Sequence, residues 1–181
     1  MNYIILDLEA TCWREKGKFQ SEIIEIGALC IDHKKNILGE FESFIRPSVH
    51  PQLSPFCTEL TTIEQADVDQ APLFPEVWEN FLDWIDAFGD DYWLCSWGFY
   101  DRSQFKKDCQ LHDLDTSWLR QHISLKHQYA EIHNLRRPIG MVGALQREQI
   151  PLEGTHHRGI DDARNIAKIF LSNFDYWKYK P

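Results

Sequence analysis

At 181 residues the chain can bury one hydrophobic core and is too short to suggest two, so a single domain over 1–181 is expected. With 43% hydrophobic and 26% charged residues, no internal repeat and no apolar run long enough for a bilayer, the composition excludes a membrane-spanning, fibrous or low-complexity protein. The net charge of −9 argues against a protein that coats long duplex by charge alone, although the acidity is regional: residues 47–101 carry eleven acids and no Lys or Arg, which leaves +2 for the rest. Basic residues gather instead from Arg102 onward, among them Lys106, Arg120, Arg136 and Arg158. Five cysteines, an odd number without a CxxC pair, read as reduced thiols. The opening residues run straight into Asp7 with no room for a targeting segment, so the cytoplasm is the expected compartment.

In chain order, residues 3–11 form an apolar β-rich run, and 22–31 and 37–45 alternate in part across a polar turn at 33–36. These predict three leading strands, the second and third a hairpin. Three prolines make 46–55 irregular, and Thr61-Thr62-Ile63-Glu64 offers the start of a short helix. After Pro72 the positions Phe74, Val77, Trp78, Phe81, Leu82, Ile85 and Phe88 recur at helical steps up to Gly89. A buried strand over 92–97, a polar helix over 101–111, a strand near 119–125 and helices over 126–133, 141–149 and 160–174 complete an α/β sheet with helices packed on it.

The chemistry concentrates in acids. Asp7 and Glu9 are two apart in the first strand and share a face. Either both are hydrated at a strand end, or a divalent cation stands between them, because two carboxylates in an apolar neighbourhood resist joint ionisation. Oxygen ligands of this kind suit Mg²⁺ or Mn²⁺. Asp101, at the turn from strand into helix, is by itself an N-cap; beside the other acids the ligand reading is preferred. In Thr155-His156-His157-Arg158-Gly159-Ile160-Asp161-Asp162, projection of the last helix puts Asp162 on the flank of the buried stripe and Asp161 on the far side with Asn165 and Lys168. Asp162 then faces a site and Asp161 is a solvated first-turn acid. His157, five residues before Asp162, is a candidate base for an attacking water, and His156 has no assigned role.

Asp7-Leu8-Glu9-Ala10-Thr11, Asp101 and His157-x(4)-Asp162 together resemble the DEDDh branch of DnaQ-like 3′→5′ exonucleases. Asp7 to Cys12, Phe56-Cys57-Thr58-Glu59-Leu60-Thr61-Thr62-Ile63 and Ser96-Trp97-Gly98 are most similar to the histone-mRNA and small-RNA trimming enzymes and KapD-like proteins, with Thr62 where that branch commonly has Gly. The resemblance implies an RNase H-like mixed sheet and two divalent ions, Mg²⁺ with Mn²⁺ as a substitute. Asp7 would bridge them, Glu9 and Asp162 complete the first shell and Asp101 support the second. It implies His157 as the base, nucleoside 5′-monophosphates as products, and single-stranded nucleic acid, RNA preferred, as partner. It also implies docking of the 3′ hydroxyl at Ala10 and Thr11, with Leu60 wedged on the terminal base or else merely a core leucine. Phe56 and Trp97, ranked above Trp13, are stacking candidates, and Arg158 either touches phosphate or is a solvated loop arginine. A DNA-directed enzyme with the same site and a catalytically idle RNA-binding module are the competing readings.

Overall fold

In the computed structural model, which describes residues 1–181 except Lys16, Asp90, Lys180 and Pro181, the first strand lies at the centre of a five-stranded sheet. Strands β1 (Asn2–Ala10), β2 (Ile23–Asp32), β3 (Ile37–Phe44), β4 (Tyr92–Ser96) and β5 (His122–Ser124) take the order β3-β2-β1-β4-β5. The β1/β2 and β2/β3 pairs are antiparallel, and β1/β4 and β4/β5 are parallel. The helices are α1 (Pro55–Thr61), α2 (Gln65–Asp69), α3 (Phe74–Asp86), α4 (Tyr100–Leu111), α5 (Leu125–Ile132), α6 (Met141–Glu148) and α7 (Gly159–Ser172).

Helices cover both faces of β1, which is why residues 3–6 are apolar without alternation. Tyr3 and Ile5 pack with Leu29, Trp93 and the α7 residues Ala163, Ile166 and Phe170. Ile4, Leu6 and Leu8 point the other way, into a core with Val77 and Phe81 of α3 and Phe105 of α4. By strand alternation Asp7 and Glu9 continue the Tyr3/Ile5 row and so face α7. The acidic helix α3, bearing Glu76, Glu79, Asp83 and Asp86, lies on the opposite face of the sheet. That placement keeps these four acids off the face on which Asp7 and Glu9 lie.

Three expectations are corrected. The chain is already helical at Pro55: Ser54 Oγ accepts from Cys57 N at 3.0 Å, and proline in a first helical turn forfeits no hydrogen bond. That helix closes at Thr62 with φ +61°, the backbone region that favours glycine, and Glu64 with Asp67 then caps α2 reciprocally. The fifth strand is only three residues long, because Ser117–Leu119 wind into a 3₁₀ turn before it. Asn165, predicted to face solvent, is fully buried: residues 150–155 fold over that flank of α7, and its amide accepts from Glu153 N at 3.0 Å and donates to Glu153 O and Asp161 O at 2.8 and 2.9 Å. All five cysteines are unpaired thiols, and no described helix is long and apolar enough to cross a membrane.

Candidate active site

A glycine sets the position of the last helix. Gly27 pairs with Asp7 across β1/β2, and a Cβ there would meet Gly159 C and Ile160 N at 2.2 Å. The N-terminus of α7 therefore rests directly on the backbone of the sheet beside Asp7. Glu25, the cross-strand partner of Glu9, fixes the contact by accepting from Gly159 N at 2.9 Å and from Arg158 Nε at 3.2 Å. Asp162, one turn into α7, is thereby held against the Asp7/Glu9 row.

One carboxylate oxygen each of Asp7, Glu9 and Asp162 lies within 4.8 Å of the others. Asp101 arrives from the far side. Pairing of β1 with β4 stops at Ile5/Cys95, which leaves Leu8 N free to donate to Asp101 Oδ1 at 3.3 Å. The four acids, His156 and His157 line one cavity of about 350 Å³, together with Trp97, Tyr100, Gly140 and Met141. The five-residue spacing of the histidine motif is closed by His157 N donating to Asp162 Oδ2 at 3.0 Å, with His157 itself at φ +68°. A non-glycine residue in that region is strained, and the hydrogen bond offsets the strain.

Electrostatically the cluster is unfavourable alone. Burial, then the charges of Asp101, Glu9, Asp162 and Glu25, push Asp7 well above the usual carboxylate range. Burial and Asp162 push Glu9 up to about 8, and burial raises Asp101 to about 6 against hydrogen bonds that favour its anion. His157 is pushed down by burial and by neighbouring His156, which Asp162 opposes only in part. An imidazole so placed is neutral at physiological pH and able to accept a proton. Crowded hard oxygen donors of this kind, whose repulsion is relieved by protons or by a cation, fit divalent metal. The Arg158 guanidinium is turned to Glu25 and Glu42 instead.

The sequence-named residues separate into groups. Asp7, Glu9, Asp101, His157, Asp162 and Trp97 share the cavity, and Trp97 is anchored by its Nε1 donating to Ile139 O at 3.2 Å. Ala10 and Thr11 are buried beside it. The Thr11 hydroxyl accepts from Glu22 N at 2.9 Å and the Ala10 carbonyl takes the Cys57 thiol, so both are engaged within the fold. Leu60 is 37% exposed, which removes the core-leucine alternative, and it shares one face of α1 with Phe56. Phe56 lines a neighbouring cavity with Trp13 and Phe19 rather than the carboxylate cavity. Arg158 lies over the Phe44 ring and pairs with buried Glu25, so it is neither a solvated loop residue nor turned toward the cavity. Asp161 is not free in solvent as projected: it accepts from Thr155 N at 2.8 Å and pairs with Arg164. Three contributors escaped the sequence reading. His156 Nδ1 lies 2.9 and 3.0 Å from the two Asp162 oxygens, Tyr100 is 55% exposed at the cavity, and Glu25 anchors α7. Only Tyr100, an aromatic immediately before Asp101, carried a legible signal.

The exonuclease family (RNase_T) matches residues 4–170. The chain belongs to the DEDDh exonuclease family. Rat 3′-5′ exoribonuclease 1 is 34% identical to this DEDDh chain over 176 residues, covering 91% of it and 50% of the rat protein. The 3′-5′ exonuclease eri1 of Schizosaccharomyces pombe is 31% identical over 196 residues, covering 92% and 65%. The chain therefore spans about half to two thirds of these two curated relatives. The crystallised nuclease domain of 3′hExo, a DEDDh family member bound to rAMP, superposes with a TM-score of 0.90 at 30% identity, covering 96% of this chain and 92% of that one. The mixed five-stranded sheet is thus the RNase H-like exonuclease fold.

Proposed function

We propose that this DEDDh protein is a 3′→5′ exonuclease that shortens single-stranded RNA, or single-stranded 3′ overhangs, and releases nucleoside 5′-monophosphates. The observation that carries this reading is the convergence of Asp7, Glu9, Asp101, Asp162 and His157 on one cavity. RNA is placed ahead of DNA because the relatives of at least 30% identity include a 3′-5′ exoribonuclease and a domain crystallised with a ribonucleotide.

Asp7, Glu9 and Asp162 would hold one divalent cation, and Asp101 with Asp7 a second, Mg²⁺ being expected and Mn²⁺ an adequate substitute. When bound, such ions neutralise charge and act as Lewis acids at the phosphodiester. The rest is the work of the side chains. His157, neutral and beside Asp162, accepts the proton of the attacking water, while its own N–H keeps the Asp162 carboxylate oriented. Trp97 and Tyr100 offer rings to the bases that enter the cavity, and Leu60 with Phe56 flanks the approach from α1. The five unpaired cysteine thiols suit a reducing compartment such as the cytoplasm.

Purified protein with Mg²⁺ should shorten 5′-labelled single-stranded RNA one nucleotide at a time, and Asp7→Ala should abolish turnover with an unchanged circular dichroism spectrum. Products that begin in mid-strand, or turnover that persists in chelator, would overturn the reading.

A further inference from the structure

A group of exposed cations begins at the residue after Asp101. Arg102 directly follows Asp101, and Lys106 stands one turn further along the same helix, about 6 Å down its axis. Both line a cavity of about 270 Å³ with Arg120, Thr116 and Ser117. All three cations are exposed, and among the described residues none of them forms an ion pair or a side-chain hydrogen bond. This contrasts with Arg158, Arg164, Lys168 and Lys178, which are all paired with acids. The one acid in the lining, Asp115, is spent on the Ser117 N–H and hydroxyl.

Two exposed aromatics immediately precede Asp101 and Arg102 in the chain. Tyr100 lines the cavity, and its neighbour Phe99 is 52% exposed and stacked on His127 at 4.9 Å between ring centroids. Unpaired cations with nearby hydroxyls, close in the chain to exposed rings and to a phosphodiester-cleaving site, match a single strand: phosphates on the cations, bases on the rings. The acidic α3 shares this face of the sheet with α4, Phe81 stacking on Phe105 at 5.8 Å, so these cations are also a local counterweight to its field.

Resting on the exonuclease reading above, we propose that Arg102, Lys106 and Arg120 form a backbone-binding track for the part of the substrate 5′ to the nucleotides in the cavity. The track makes affinity depend on strand length, while the chemistry at the 3′ end is indifferent to it. It also supplies locally what the chain's overall charge withholds.

The test compares the triple variant R102E/K106E/R120E with K34E/R46E/R147E, which carries the same charge change elsewhere on the surface. Each is made in an Asp7→Asn background, and binding of a fluorescent 12-nucleotide and a trinucleotide RNA is measured against salt. The track variant should bind the 12-mer at least tenfold more weakly, change little toward the trinucleotide, and show a slope of log K against log salt shallower by about 2, as three lost phosphate contacts require. With Asp7 restored, its defect should lie in KM for the 12-mer rather than in kcat. Equal losses in the control variant, equal losses for the two RNAs, or an unchanged salt slope would each overturn the track. Binding is read without turnover, so a wild-type chain that holds the 12-mer on this face yet hydrolyses nothing would refute the exonuclease reading and sustain the track.

Discussion

Replacing Glu9 by Gln should stabilise the metal-free protein while destroying its function. Glu9 is 8% exposed, and its carboxyl is raised from 4.5 to about 8, first by burial and then by Asp162 and Glu25. A carboxyl whose folded pKa lies above its unfolded one binds protons more tightly when folded. Its destabilising effect is absent below about pH 4.5 and grows until pH passes about 8. At about 1.4 kcal/mol per pH unit the full rise corresponds to about 5 kcal/mol. The Asp7 carboxyl, also raised, competes for the same protons, which reduces the separable part to about 2–4 kcal/mol. Urea unfolding in chelator should therefore show wild type losing stability between pH 5 and pH 8. E9Q should lose much less over that range and be more stable than wild type at pH 8, by roughly 4–16 °C in Tm. Mg²⁺ should reverse the order, raising wild type by about 2.7 kcal/mol at a hundred times its Kd and E9Q hardly at all. If E9Q were no more stable than wild type at pH 8 without metal, or if Mg²⁺ stabilised both equally, the acids would not be held together against their own repulsion and the metal argument would fail.

Asp162→Ala should reduce turnover by more than the roughly 100-fold typical of an outer-shell partner, whereas Asp161→Ala should cost about 1–2 kcal/mol of stability through its bonds to Thr155 and Arg164 and retain most activity. Equal activities in the two would refute the placement. Arg158→Ala strands the buried Glu25 carboxylate and should cost about 3 kcal/mol in urea unfolding, most of it recovered in R158A/E25Q; a double variant no better than the single would show that Arg158 does not serve to neutralise Glu25. Tyr100→Ala should raise KM for RNA roughly 5- to 150-fold, as loss of a stacking ring implies, with Tyr100→Phe near wild type. A purely structural role would instead lower Tm in both.

The five residues that share the cavity were legible in sequence as a set, through the likeness of Asp7-x-Glu9, Asp101 and His157-x(4)-Asp162 to one family, whereas Asp7 and Glu9 alone left a hydrated strand end open. The central strand and the α3 stripe were legible because burial imposes a period on the residues themselves. The missed features depend on partners distant in the chain. Asn165 looks like a surface residue on its own helix, and only the 150–155 segment folding over it makes burial possible. Arg158 has no visible preference until β2 brings Glu25 beneath it, and His156 is indistinguishable from any loop histidine until Asp162 is aimed at it. Local sequence thus determined which atoms are present and which faces are apolar. Tertiary structure decided which charges meet, because energy between charges depends on separation and on the exclusion of water, and both are set here by the contact of Gly27 with the start of α7.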